Sequence, residues 1–465
     1  MPYADASRTS GTITIPIDEY NAMKALIAAL TAKAEELEAR LNKTSKNSNK
    51  PPSSDGPKKG KVKNSRVPSG RTNGGQPGHE GKTLELKPAP DTVVELKPKE
   101  ACECGGDILE NGSFRTRQVT DIEPIKVLTF EYRAYDGECG ACGKIHKATF
   151  PEGTEGVHSY GKGLSAITTY LTNYQLLPLK RTTELISDLF GVNISQATVL
   201  EQSGQAFERL QETESLIAEE ILESPVANAD ETGMRVEGSN HWLHSVGTEK
   251  ATVYGIHKSR GKEALEAIGI LPRYTGTLVH DHWKSYYGYD RCSHAECNAH
   301  HLRTLRYLQE NLHCQWAGDM ASLLLRIKRH VELSKLFDSG RLEQADIELY
   351  ESRYRDILAA AQSTDEAKPD ESRRMIKRLR EYESEALLFM LDFEVPFTNN
   401  LAERDVRMPK TKMKISGGFR SKQGAKVFAR VRGFVSTAKK KGKNVLDGLV
   451  SVFNGNSKKF LYPET

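Results

Sequence analysis

The chain has 465 residues, enough for about three domains, and its formal net charge is +4. No apolar run approaches the ~18 residues of a membrane span, the first residues lack a charged-then-apolar leader pattern, and seven cysteines are too few for a disulfide scaffold. These features exclude membrane-spanning and disulfide-rich classes, and they predict a cytoplasmic protein in which clustered cysteines bind metal.

Charge is distributed unevenly along the chain. Residues 43–90 have a net charge of +8 and residues 404–443 have +13, which leaves −17 for the rest. Two basic blocks on an otherwise acidic protein indicate a polyanionic partner, and nucleic acid is the first candidate.

Residues 14–45 are predicted to form a helix with an apolar seam. Apolar residues recur at spacings of four and three from Met23 to Leu41, which is about three heptads. We interpret the seam as a coiled coil that joins two or more copies of the chain, although it also fits a helix packed on its own chain. Residues 46–90 follow as a basic linker rich in Pro, Gly and Ser, which can lie along a phosphate backbone or act as a solvated tether.

Two cysteine pairs predict a zinc-binding ribbon over residues 91–152. Strand-like runs at residues 92–96 and 125–132 flank the first cysteine pair, and both runs precede the second pair. The predicted ligands are Cys102, Cys104, Cys139 and Cys142. Four thiolates suit one tetrahedral structural ion. The first pair is CxC rather than CxxC, His146 is an alternative ligand, and four unligated thiols are the competing interpretation.

Residues 156–222 are predicted to be helical. A helix over 179–190, a turn containing Gly191 and a helix begun by Ser195 have the outline of a helix-turn-helix. The groove-facing side chains would then be Ser195, Gln196 and Thr198. A plain helical bundle gives the same pattern.

Residues 223–455 are predicted to form an α/β domain. Strand, strand, strand, helix, strand is the order of an RNase-H-like fold, and its first and last strands end in Asp230 and Asp281. Carboxylates at neighbouring strand ends supply the hard oxygen ligands that Mg²⁺ prefers. Acids at strand ends are also ordinary loop residues and helix caps, so the residue types alone leave both interpretations open.

A third carboxylate follows in the segment around residue 403. Asn399 or Asn400 can cap a helix, and Glu403 falls in its first turns. Arg404 and Arg407 share a helix face at i, i+3, so phosphate-binding cations lie beside this acid. Three such carboxylates can hold two metal ions ~3.5–4 Å apart for an in-line phosphoryl displacement.

The long gap between Asp281 and Glu403 is predicted to contain an all-helical insertion over about residues 303–391. Cys297 and His300 at its start have metal-ligand spacing, but no second pair follows, so we interpret them as a structural helix start. A basic helical element over 404–455 is predicted to bind a DNA end. Its predicted contact residues are Arg404, Arg407, Lys410, Lys412, Lys414, Arg420 and Lys422.

Several long motifs in this order resemble the insertion sequence 66 family of transposases, and in particular its long catalytic subunit. The resemblance covers about residues 18–455. Its motifs are Asn47–Gly56, Gly74–Gly78, the two Cys pairs, Tyr174–Val192, Ala229–Thr232, His280-Asp281 and Asn399–Arg404.

The resemblance implies a DDE transposase with an RNase-H-like fold, two Mg²⁺ or Mn²⁺ ions and no covalent protein–DNA intermediate. By matching motifs it implies that Asp230, Asp281 and Glu403 are the catalytic and metal-binding triad. It implies a structural Zn²⁺ at the Cys pairs, where Ala101 stands in place of the family's first cysteine. It also implies DNA as partner, both terminal inverted repeats and target, together with accessory proteins of the same element and a prokaryotic, nucleoid-associated location.

The sequence therefore predicts a multidomain α+β protein. Its parts are an N-terminal coiled coil, a zinc-ribbon-like β domain, a helix-turn-helix-like domain and an RNase-H-like core with a helical insertion. The predicted activity is metal-dependent cleavage at element ends followed by strand transfer. Two alternatives are a nuclease of the same fold that cuts without joining, and a non-catalytic DNA-binding regulator derived from a transposase.

Overall fold

The computed structural model describes residues 15–41, 85–97, 104, 106, 113–121, 127–151, 153–154, 156–337 and 340–463. Most of the predicted linker over 46–90 lies outside these ranges, and so does Cys102. Among the helices of the described ranges, none is both long and apolar enough to cross a membrane.

The N-terminal helix, α1, spans Ile17–Leu41 and confirms the predicted helix. Its described side chains are exposed, and in the apolar seam the exposed fraction is 61% for both Ile27 and Leu30. The described part of the chain therefore leaves this seam uncovered. The pairing of α1 with another copy stays a prediction.

The cysteine-containing region has one short hairpin. Strand β1 (Asp136–Glu138) pairs antiparallel with β2 (Ile145–Lys147). Residues 92–96 and 127–132 form no strand in the described ranges, so the strand predictions there are wrong. β-Branched and aromatic residues favour an extended backbone, but a strand also needs a neighbour to accept its hydrogen bonds.

A helical module follows, with the predicted helix, turn and capped helix in place. Its helices are α2 (Lys162–Thr169), α3 (Leu179–Phe190), α4 (Gln196–Arg209) and α5 (Gln211–Leu222), with a π-helical turn at Tyr170–Tyr174. Gly191 ends α3 at φ 67°, a left-handed conformation that favours glycine. The Ser195 hydroxyl caps α4 by accepting the N–H of Thr198 at 3.0 Å.

A five-stranded mixed sheet forms the centre of the C-terminal half. Its strands are β3 (Val226–Val236), β4 (Ser239–Gly247), β5 (Thr252–His257), β6 (Thr277–His280) and β7 (Ser293–Glu296), with α6 (Lys262–Ile268) between β5 and β6. The spatial order is β5-β4-β3-β6-β7, antiparallel from β5 to β3 and parallel from β3 to β7. The sequence predicted the first four strands and α6, but not β7.

The predicted insertion is all-helical apart from short 3-10 turns and loops, within the described residues. Its helices are α7 (Asn298–Leu312), α8 (Gln315–Ser334), α9 (Gln344–Gln362), α10 (Asp370–Glu381) and α11 (Glu383–Leu391). They share a hydrophobic core that includes Val279 of β6 and Ala295 of β7. This core fixes the insertion against one side of the sheet.

The chain ends in a second set of helices. They are α12 (Asn400–Asp405), α13 (Arg407–Ser416), α14 (Lys422–Lys440), α15 (Val445–Phe453) and α16 (Ser457–Leu461). Val431, Phe434 and Val435 of α14 lie in one core with residues of α5 and the sheet. Helix α14 is therefore a core element of the domain as well as part of the basic block.

Candidate functional site

Two acids and a cysteine lie side by side on three neighbouring strands. Strand β3 continues to Val236, so Asp230 lies within it and the prediction that Asp230 ends a strand is wrong, whereas Asp281 directly follows β6. Strand β3 pairs with β6 so that Asn228 lies opposite Val279, and β6 pairs with β7 so that His280 lies opposite Glu296. Continuing this register places Asp230, Asp281 and Cys297 at one level. Because paired strands lie ~4.8 Å apart, the three residues are adjacent across the sheet.

Asp230 and Asp281 repel one another and are both partly buried. Burial first, and then the charges of Glu231 and Asp281, raise the pKa of Asp230 to about 7, against an opposing effect of Lys410. Burial and the Glu231 charge also raise the pKa of Asp281. A divalent cation bound between such carboxylates would relieve this repulsion, so the pair fits a Mg²⁺ or Mn²⁺ site.

We expect Asp230→Asn to stabilise the protein in EDTA at high pH. Folding raises the pKa of this acid, so the carboxylate lowers the free energy of unfolding as pH rises from about 4 to 7, and the loss is complete above pH 7. The variant should exceed wild type by about 1–3 kcal/mol at pH 8, and the difference should shrink towards pH 4.

Denaturant unfolding at several pH values measures this difference. Asp188→Asn, at an exposed position on α3, is the matched control and should leave stability unchanged at every pH. If the stabilisation by Asp230→Asn does not shrink on acidification, the raised pKa of Asp230 is contradicted.

The two acids that flank the predicted ligands have other partners. The Glu231 carboxylate accepts hydrogen bonds from Arg260 at 2.5 Å and from the Tyr286 hydroxyl at 2.6 Å. The Asp405 carboxylate lies 2.7 Å from the Lys440 ammonium. Their positions are therefore explained by these contacts without a metal ion.

Asn399 attaches the start of α12 to strand β3. The sequence predicted Asn399 or Asn400 as a helix cap, but the Asn399 side chain makes no capping hydrogen bond. Its amide instead donates to the Ala229 carbonyl at 2.7 Å and accepts from the Asn228 side chain at 2.8 Å. Glu403 lies one helical turn later, so these bonds fix the helix that bears it beside Asp230.

The Glu403 carboxylate lies next to Cys297 and His300. One ligand atom from each of these residues lies within 4.8 Å of the other two. Among the described residues Glu403 does not form so tight a group with Asp230 and Asp281. The Arg303 guanidinium also approaches Glu403, at 3.5 Å.

A buried carboxylate that the sequence did not single out supports this edge of the sheet. Glu296, with a fully buried side chain, accepts hydrogen bonds from His282, the Tyr287 hydroxyl at 2.6 Å, His301 at 2.5 Å and Arg378 at 3.1 Å. Burial acts to raise its pKa, but the hydrogen bonds from the two histidines and the Arg378 charge outweigh it and lower the pKa. Glu296 thereby ties the loop after Asp281 to the insertion.

Six of the seven cations predicted to contact DNA are exposed. They are Arg404, Arg407, Lys410, Lys414, Arg420 and Lys422, whereas Lys412 is partly buried. Burial lowers the pKa of Lys412. Lys410 is near enough to Asp230 to affect its pKa, which places a cation beside the row of acids.

Other cations of the basic block stabilise the fold. Arg430 pairs with Glu214 at 2.6 Å, and Lys441 pairs with Glu220 at 2.9 Å, so both attach α14 and its end to α5. The buried Arg432 donates to the Tyr174 carbonyl at 3.3 Å. These three cations therefore help to hold the domain together, and elements far apart in sequence supply their partners.

The residues predicted to face a DNA groove lie at the start of α4. Ser195 and Gln196 are exposed and Thr198 is partly exposed. The Ser195 and Thr198 hydroxyls lie 2.9 Å apart, so both take part in the helix cap. Their contact with DNA stays a prediction.

The second predicted cysteine pair lies in a tight turn between β1 and β2. The Gly143 N–H donates to the Cys139 carbonyl at 2.8 Å. Backbone N–H groups of Ala141 and Cys142 lower the pKa of the Cys139 thiol, which favours the thiolate that binds metal. Cys104 is exposed and Cys102 lies outside the described residues, so the four-thiolate site stays a prediction.

Models of known protein families match two parts of the chain. A family of unknown function matches residues 8–85. The transposase IS66 family matches residues 158–427, more than half of the chain, and this range includes Asp230, Asp281 and Glu403. No curated protein matches significantly. The chain belongs to the IS66 family of transposases.

Proposed function

We propose that the protein is a DDE-type transposase that cuts DNA at the ends of its element and joins those ends to target DNA. The main observation is the pair of repelling carboxylates, Asp230 and Asp281, on neighbouring strands, with Glu403 on a helix attached to β3. The strand order, three antiparallel strands followed by two parallel ones, supports an RNase-H-like core.

Asp230, Asp281 and Glu403 would hold two Mg²⁺ or Mn²⁺ ions. When bound, such ions activate the attacking oxygen and stabilise the leaving oxygen of an in-line displacement. Cleavage and joining are the same displacement with different nucleophiles, first water and then the 3′ hydroxyl. The Asn399 hydrogen bonds position Glu403, and Glu296 positions the loop after Asp281.

DNA would lie across the exposed cations of α12, α13 and the turn before α14. Lys410 is the cation beside Asp230, so a phosphate bound there lies near the acids. Phosphate contacts of this kind fix the position of DNA and make binding strongly dependent on salt. Ser195, Gln196 and Thr198 would add contacts from the helical module.

Two further parts of the proposal concern assembly and the cysteine region. We propose that the exposed seam of α1 pairs with the same helix of another copy, which would hold both element ends together. A purely monomeric species in light scattering, with and without DNA ends, would contradict this pairing. A structural Zn²⁺ at Cys102, Cys104, Cys139 and Cys142 completes the proposal, and metal analysis of the wild type and the Cys139→Ser/Cys142→Ser variant tests it.

The function is tested by incubating the protein with labelled DNA that bears the element's own ends and with a supercoiled target, in Mg²⁺ or Mn²⁺. Joined products establish the transposase. Cutting without joining favours the nuclease or a need for an accessory protein. Binding with neither reaction favours a regulator.

A further inference from the structure

Cys297 and His300 lie together at the start of α7. Cys297 is the residue before the helix, and its side chain is fully buried. The His300 N–H donates to the Cys297 carbonyl at 3.0 Å, which closes the first turn. The Cys-x-x-His spacing therefore places a sulfur and an imidazole on one side of this turn.

The third member of the cluster comes from a distant part of the chain. Glu403 on α12 places a carboxylate oxygen within 4.8 Å of the Cys297 sulfur and of an imidazole nitrogen of His300. Sequence spacing alone does not connect Glu403 with Cys297 and His300, because the three residues come from segments about a hundred residues apart.

Hydrogen bonds fix the relative positions of the two segments. The Asn399 N–H donates to the Cys297 sulfur at 3.1 Å, and the Asn298 N–H donates to the Phe397 carbonyl at 3.1 Å. A backbone donor to sulfur also stabilises a metal-bound thiolate. The buried Nδ1 of His300 makes no hydrogen bond to any described residue, so the cluster contains an available nitrogen.

We propose that Cys297, His300 and Glu403 form a binding site for a thiophilic divalent ion of the Zn²⁺ class. One thiolate, one imidazole and one carboxylate are ligands that Zn²⁺ accepts, and three protein ligands leave a fourth position open. Mg²⁺ prefers oxygen ligands and would not select this set. Tetrahedral Zn²⁺ needs ligand atoms roughly 3.3–3.7 Å apart, so side-chain shifts of about 1 Å close the site.

The site would share Glu403 with the proposed Mg²⁺ centre. An ion bound to Cys297 and His300 would also bind the Glu403 carboxylate, whose Oε1 lies 3.5 Å from the Arg303 guanidinium. We therefore expect Zn²⁺ to inhibit the Mg²⁺-dependent reaction by occupying this carboxylate. This consequence rests on the proposed function, whereas the ion site itself does not.

The experiment is a Co²⁺ titration of the DNA-free full chain bearing Cys139→Ser and Cys142→Ser, which removes the thiols of the β1–β2 turn. We expect one Co²⁺ per chain with a sulfur-to-cobalt charge-transfer band. Adding Cys297→Ser should abolish this band, and adding His300→Gln should weaken Co²⁺ binding at least roughly tenfold. Cys314→Ser, at another buried cysteine, is the matched control and should change neither.

Three results would overturn the proposal. One is the absence of a sulfur-to-cobalt band in the starting protein. The others are a band that persists with Cys297→Ser and an affinity that His300→Gln leaves unchanged. Far-ultraviolet circular dichroism confirms folding, and His300→Gln provides the test if Cys297→Ser does not fold. Because the Co²⁺ titration contains no DNA, its result does not depend on whether the protein joins DNA in the assay of the proposed function.

Discussion

Asp281→Asn is expected to abolish DNA cleavage and joining while leaving DNA binding intact. The substitution keeps the side-chain shape and an oxygen that can accept the Trp283 N–H, as Asp281 does at 3.0 Å. It removes the negative charge that a metal ion requires, and we expect at least a roughly thousandfold loss of rate. Stability should not fall, because burial and the Glu231 charge disfavour the ionised form in the folded protein.

Cleavage rates and end-binding affinities of the same preparations measure both effects. Asp290→Asn is the matched control, since Asp290 is exposed and follows Asp281 in the same connection between β6 and β7. It should cut and join at the wild-type rate. If Asp281→Asn cuts normally, or if DNA binding fails along with catalysis, the role assigned to Asp281 is wrong.

Glu296→Gln is expected to cause the largest loss of stability among the changes considered. The Arg378 side chain is only 14% exposed, and the substitution leaves its guanidinium without a carboxylate partner. The substitution also replaces one carboxylate oxygen, which accepts hydrogen bonds, with an amide NH₂ group, which donates them. Breaking a buried ion pair in this way costs about 3–5 kcal/mol. We expect a fall of roughly 10 °C in the apparent unfolding temperature.

The pH dependence of unfolding distinguishes the contribution of the Glu296 charge from that of side-chain packing. Hydrogen bonds and Arg378 lower the pKa of Glu296 against the effect of burial, so its contribution is complete at neutral pH and is lost only as pH falls below about 4.3. Glu381→Gln, at an exposed pair with Lys377 in the same insertion, is the control and should change stability by less than about 0.5 kcal/mol. Equal unfolding temperatures for Glu296→Gln and wild type would contradict the proposed role of the network.

The parts of the fold that the sequence predicted are those with strong local signals. Apolar runs identified four strands of the sheet, and Ser195 marked the start of α4. Strand β7 was missed because Ser293-His294-Ala295-Glu296 has only one apolar residue, and its Glu296 is stabilised by polar partners instead. Local propensity cannot indicate such a strand, because the stabilising groups come from other elements.

Local sequence signals also identified only part of the candidate site. Apolar runs followed by an acid identified Asp230 and Asp281, but the contact of Glu403 with Cys297 and His300 depends on how the insertion folds back. In the basic block, Arg430 and Lys441 have acidic partners on α5, more than two hundred residues away. Charge density along the sequence therefore predicted a DNA-facing block without distinguishing the cations that hold the domain together.

The most direct test of the central claim, that three carboxylates form one divalent-metal centre, is a crystal structure of the protein with its element ends and Mn²⁺. Anomalous scattering locates manganese independently of the protein density. We expect manganese coordinated by oxygens of Asp230, Asp281 and Glu403 beside the scissile phosphate. Manganese bound away from Asp230 and Asp281, or Glu403 turned away from the metal-bound aspartates, would contradict it.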